Sequence, residues 1–200
     1  MEAVADLNGP TTRAGVAALA ARVAPPVPPG ARRLMLDGPV GAVVPGGLPR
    51  GGIVQVTGTR GDGVTSLGLQ LAAAATRVGE WVAFLDDGTL GGLAALEAGV
   101  AEERFVVVRG PGSRWASVAA MLVEGFGVVI VDPPPRLGDR DARRIGARVR
   151  ERGTVLVVLG RWPAPGVRLT LPVSAARAAG AHGPGQSAPA RAGAPVRVAG

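Results

Sequence analysis

The chain contains no cysteine, no lysine and no tyrosine in 200 residues, one histidine, and only 3% aromatic residues. Without cysteine neither a disulfide framework nor a thiolate metal site can form. The single His182 sits in a Gly/Pro-rich tail, and no Ser/His or Cys/His arrangement for nucleophilic catalysis is present. All 22 basic residues are arginine, which alongside the abundance of Ala, Gly, Val and Pro suggests a GC-biased coding sequence. The arginine preference by itself therefore says little about function. Aromatics that would interleave with basic residues to stack on bases are missing, which argues against single-strand or sequence-specific nucleic-acid reading. No apolar run reaches the length of a membrane span, and Glu2, Asp6 and Arg13 interrupt anything like a signal peptide. A soluble cytoplasmic protein without a membrane partner is expected.

What is present is a chain 47% hydrophobic, long enough for one domain with a substantial core. Its 32 glycines and 18 prolines suggest loose ends. The net charge of +7 is unevenly placed: ten arginines face twelve acids through Asp132, whereas twelve arginines face three acids from Pro133 onward. The basic C-terminal part is the interaction candidate.

The apolar pattern divides the chain into an N-terminal helix and Pro-rich linker (1–30), an α/β core (31–172) and a Gly/Ala/Pro/Arg tail (173–200) expected to be largely disordered. The N-terminal helix is expected over 10–23, followed by the stiff linker APPVPPG. In the core, apolar strands are predicted at 53–57, 81–85, 104–108, 128–131, 154–159 and 167–171. Helices are predicted at 67–78, 90–100, 113–124 and 139–151, with Leu67, Leu71, Ala74, Ala75 and Val78 on the inner face of the first. Continuous apolar strands alternating with helices specify a three-layer α/β domain with a mostly parallel sheet.

The core is organised around PGGLPRGGIVQVTGTRGDGVTS, residues 45–66: a Gly/Pro turn, a strand, a glycine-rich loop and a helix opening at Thr65 and Ser66. That order is the geometry of a phosphate-binding loop, G-x-x-x-x-G-K-[ST], in which backbone N–H groups surround phosphates, the lysine reaches the terminal ones and the hydroxyl holds Mg²⁺. Gly58, Gly63 and Thr65 fall in register, but the lysine position is Val64. Asp62 adds a negative charge inside the loop, and Arg60 is the one cation able to swing in as a substitute. The favoured reading is a degenerate loop whose glycines serve positive φ and close packing, with no ATP or Mg²⁺ cofactor.

Val128 to Asp132, VVIVD, matches the acidic second motif of nucleotide hydrolases; alternatively, Asp132 ends a strand at the sharp exit formed by three prolines. Asp86 and Asp87 end the second strand at the same sheet edge, where open α/β sheets place their chemistry; alternatively, Asp87-Gly88 makes a turn and Asp86 or Asp87 caps the following helix. The helix over 139–151 carries Arg140, Arg144, Arg148 and Arg152 four apart, with Arg143 and Arg150 beside them. Such a stripe attracts phosphates, as in non-specific DNA contact, or an acidic partner; it also serves as a merely solvated face.

These residues carry a resemblance. GGLPRGGIVQVTG resembles the segment by which bacterial RecA enters its ATPase core, and the similarity continues through Ala83 to Asp86 and VVIVD. The short length, degenerate loop, GRWPAPGVRLTL segment and Gly/Arg-rich end look like the actinobacterial ImuA-type proteins, RecA-like accessory factors of a damage-induced mutagenesis cassette. On that resemblance the loop lysine of RecA corresponds to Val64 and its catalytic glutamate to Gly88, while Thr65 and Asp132, the Mg²⁺-associated positions, remain. Loss of both groups removes hydrolysis by several orders of magnitude, each being worth ~10²-fold or more. The segment 133–138 is too short for a RecA-type DNA-binding loop.

The resemblance therefore implies a non-catalytic scaffold for translesion synthesis. Its implied partners are an ImuB-like Y-family polymerase homologue, an error-prone C-family DNA polymerase and RecA. The arginine-rich helix and the N-terminal helix are the candidate recruiting surfaces. Two rival readings are a SulA-type cell-division inhibitor and a weak ATPase that uses Arg60 in place of the lysine.

Overall fold

A computed structural model describes residues 4–5, 33–44, 46–58, 61–88, 90–174 and 197–198. The expected N-terminal helix and linker, and the tail apart from Val173, Ser174 and its last short strand, lie outside the described residues.

In chain order the elements are β1 (Val4–Ala5), β2 (Arg33–Leu34), α1 (Gly38–Val43), β3 (Leu48–Pro49), β4 (Ile53–Thr57), α2 (Val64–Arg77), β5 (Val82–Asp86) and α3 (Gly92–Glu97). There follow β6 (Phe105–Arg109), α4 (Trp115–Gly125), β7 (Val128–Val131), α5 (Asp139–Arg152), β8 (Val155–Leu159), β9 (Val167–Pro172) and β10 (Arg197–Val198). One sheet runs β1-β6-β5-β7-β8-β4-β9-β10, and β2 pairs antiparallel with β3 apart from it. Every neighbouring pair in the large sheet is parallel except β9 with β10. The fold is the three-layer α/β, RecA-like class expected from the sequence.

Strand alternation builds the two layers. In β7, Val128 and Ile130 join α1, α2 and α3 on one face, while Val129 and Val131 join α4 and α5 on the other. A strand buried on both faces must be apolar throughout, which is why the β7 run was legible to the residue. The run Ala72 to Ala75 is buried in α2, and small side chains there let the helix lie close to the sheet. At Gly68 a Cβ would meet Leu159 Cδ2 of β8 at 3.0 Å. Two acids in its first turn, two arginines in its last and Gly153 at φ 72° bound α5, matching the helix dipole and the left-handed C-terminal exit.

Two expectations are corrected. The helix predicted over 67–78 starts at Val64 and ends at Arg77, so Val78 falls in the following turn and is 37% exposed. The stretch before the first strand contains α1, with Pro39 in its first turn and Val40 and Val43 buried. Its glycines disguise the periodicity.

Below the sheet, Arg50 and Glu80 form an ion pair at 2.5 Å with little solvent contact. Thr154 Oγ1 donates to the carbonyls of Val123 (2.8 Å) and Phe126 (3.1 Å), closing the end of α4 onto β8.

Candidate functional site

The C-terminal ends of the parallel strands gather the sequence motifs on one edge. From β4 the chain passes through Gly58 and enters α2 after Gly61 (φ 90°) and Gly63 (φ 94°), conformations that only glycine adopts without strain. Gly63 caps α2 without a side-chain bond, and Leu67 N–H donates to its carbonyl at 2.9 Å. Thr65 and Ser66 are exposed. Arg60, the candidate substitute cation, lies outside the described residues.

Val64 is half-buried and packs against the core on the α2 face. A Cβ built on Gly58 would meet Val64 Cγ2 at 2.9 Å and Val173 Cγ2 at 3.1 Å. The isopropyl group therefore lies across the base of the loop, against the Gly58 backbone and near the end of β9. A phosphate-binding loop needs a mobile cation from this position; here the position carries an apolar contact. The residues present do not fit a triphosphate held in the usual way.

Asp86 is buried at the end of β5, and its Oδ2 accepts N–H bonds from Gly88 (3.0 Å) and Leu90 (2.8 Å). The geometry makes Asp86 a turn-holder that shapes the passage from β5 toward α3; the expected helix cap is not formed, since α3 starts after Gly91 with no side-chain cap bond. Gly88, with φ 109°, takes a conformation that a glutamate would adopt only under strain. Asp132 is exposed at the end of β7, its backbone carbonyl accepts the Trp115 indole N–H at 3.1 Å, and β8 separates its strand from β4. The exit turn is short, with Leu137 N–H donating to Pro134 O at 3.0 Å. Among the described residues no group of three or more His, Asp or Glu could hold a metal ion.

The arginines of α5 do not form one patch. Each residue advances about 100°, so Arg140, Arg144, Arg148 and Arg152 drift by about 40° per step along one side, whereas Arg143 is turned about 100° from Arg144 and Arg150 about 160° from Arg148. Arg144 and Arg148 turn toward α4, and Arg148 pairs with Glu124 at 2.6 Å. Arg143 reaches back to Asp139 at 3.8 Å. Arg150 lies on the other flank, its Nη1 within 3.8 Å of where a Gly146 Cβ would be and 3.6 Å of a Gly166 Cβ. Arg140 and Arg152 are exposed between these flanks and beyond the groove.

A groove of about 410 Å³ separates α4 from α5. Arg114, Ser117, Asp141, Arg144 and Arg148 form its walls, and Met121, Ala120 and Ile145 lie in its floor. The α4 side was not singled out in the sequence; its signal is the small residues Ala116, Ser117 and Ala120, which recur on the helix face beside Met121.

The chain matches the family model described as MT3502 N-terminal domain over residues 42–164, which takes in the glycine loop, the sheet core and the groove. It is 35% identical over 134 residues to the uncharacterized protein Rv3395c of Mycobacterium tuberculosis (strain ATCC 25618 / H37Rv), an alignment covering 64% of this chain and 63% of that relative. The chain thus spans less than two thirds of the relative's length. With the family model covering more than half of its residues, this chain belongs to the MT3502 N-terminal domain family.

Proposed function

We propose that this chain is a non-catalytic, RecA-like adaptor of the ImuA type. It acts in DNA-damage-induced translesion synthesis and mutagenesis by binding an ImuB-like Y-family polymerase homologue and, through it, an error-prone C-family polymerase. The observation that carries the reading is Val64 lying against Gly58 at the position where a nucleotide machine keeps its fixed cation. The left-handed Gly88 where RecA has its water-activating carboxylate supports it further. A fold retained without either group is retained for its surfaces. Kinship with a mycobacterial protein favours the actinobacterial form of the reading.

Co-expression of the full chain with the ImuB-like protein of the same organism, followed by affinity purification, tests it. A stoichiometric complex is expected, together with ATP turnover no higher than in a mock purification. Turnover that disappears in Asp132→Ala, with no complex formed, would replace the adaptor with a weak ATPase.

A further inference from the structure

We infer that the groove between α4 and α5 is a docking site for an acidic amphipathic segment of a partner protein, which lays apolar side chains on the floor and carboxylates against the arginine walls. The floor of Met121, Ala120 and Ile145 is apolar, and Met adapts its shape to different side chains. Ala116 and Ser117 leave the α4 wall low, making room for a large side chain from outside.

Charge names the partner's sign. Three arginines and one acid, Asp141, line the groove; Arg148 is already held by Glu124, and the charge argument rests on Arg144. Arg144 makes no ion pair with any described residue, though it is exposed at the lip of the groove. Duplex DNA would satisfy Arg144 but has nothing to place on the Met121 and Ile145 floor, whereas an amphipathic acidic segment satisfies both. The arginines on the far flank, Arg143 and Arg150, face away from the groove and provide an internal control.

The inference rests on the adaptor reading only for which protein supplies the segment. Failure to co-purify the ImuB-like protein would leave peptide docking standing, and failure of peptide docking would leave that co-purification standing.

The probe is a fluorescein-labelled helical peptide of ~18 residues, five turns, with leucine on one face and glutamate on the other, titrated with the full chain by anisotropy. Saturable binding is expected. Arg144→Glu should weaken it ~10-fold or more by reversing a charge at the contact. Ser117→Trp, which fills the groove, should abolish it, and Arg143→Glu should leave it within about twofold, as for a residue outside the contact. Arg144 is exposed, so its variant retains the fold even if Ser117→Trp does not. Equal binding by wild type and Arg144→Glu would overturn the inference. Equal binding of the same peptide with lysine for glutamate would do so too, as would Arg144-dependent capture of a ~20-base-pair duplex with no peptide binding.

Discussion

Val64 and Gly58 face each other across the glycine loop so closely that no side chain at position 58 would fit without moving the isopropyl group. The loop backbone and the first turn of α2 are therefore joined by an apolar contact where a nucleotide-binding loop leaves space.

Replacing Val64 with lysine is expected to remove that contact at a cost of about 1 kcal/mol, for a half-buried side chain, without creating an ATPase. Gly88 still supplies no carboxylate. Phosphate release by Val64→Lys should equal that of wild type while its unfolding midpoint falls; turnover from this single change would show that the loop needs only its cation.

The Arg50–Glu80 pair makes a sharper stability prediction. Arg50 Nε and Nη1 are buried without a hydrogen-bond partner, so among the described residues Glu80 is the acceptor that holds its guanidinium. Glu80→Ala would strand the cation and destabilise the chain by roughly 3 kcal/mol, the lower end of the range for breaking a buried pair because Glu80 retains some solvent contact. Gly127→Ala should act in the same direction, since its Cβ would collide with the Glu80 carboxylate. Urea denaturation measures both.

At the opposite edge, Asp86→Ala would leave the Gly88 and Leu90 N–H groups without their acceptor, at about 1–3 kcal/mol. Amide exchange at Leu90 and along α3 should accelerate while the centre of β7 stays protected. Uniform acceleration would instead mean that Asp86 supports the whole sheet.

Thr154→Val, nearly isosteric, removes the hydroxyl that donates to Val123 O and Phe126 O and should cost about 1–2 kcal/mol. Thr154→Ser should recover most of the loss in thermal melts, because the hydroxyl and not the methyl closes α4. Recovery by valine in place of serine would assign the site to packing.

The amino-acid order alone specified the α/β class, because runs such as VVIV and VLVVL suit only strands covered on both sides. It also marked the start and stop of α5, where Gly138, the early acids and Gly153 act locally. The absent lysine and the glycines of the loop were equally legible, being identities and not positions. Tertiary structure alone decided that β8 lies between β7 and β4, because strand adjacency is a long-range contact that no local pattern encodes. It also turned Val64 onto Gly58, assigned Asp86 to backbone N–H groups, and set Arg144 and Arg148 on a different flank of α5 from Arg143 and Arg150. The groove follows from that last division: each residue turns the helix by about 100°, so arginines close in sequence point apart, and only packing against α4 determines which of them share a surface.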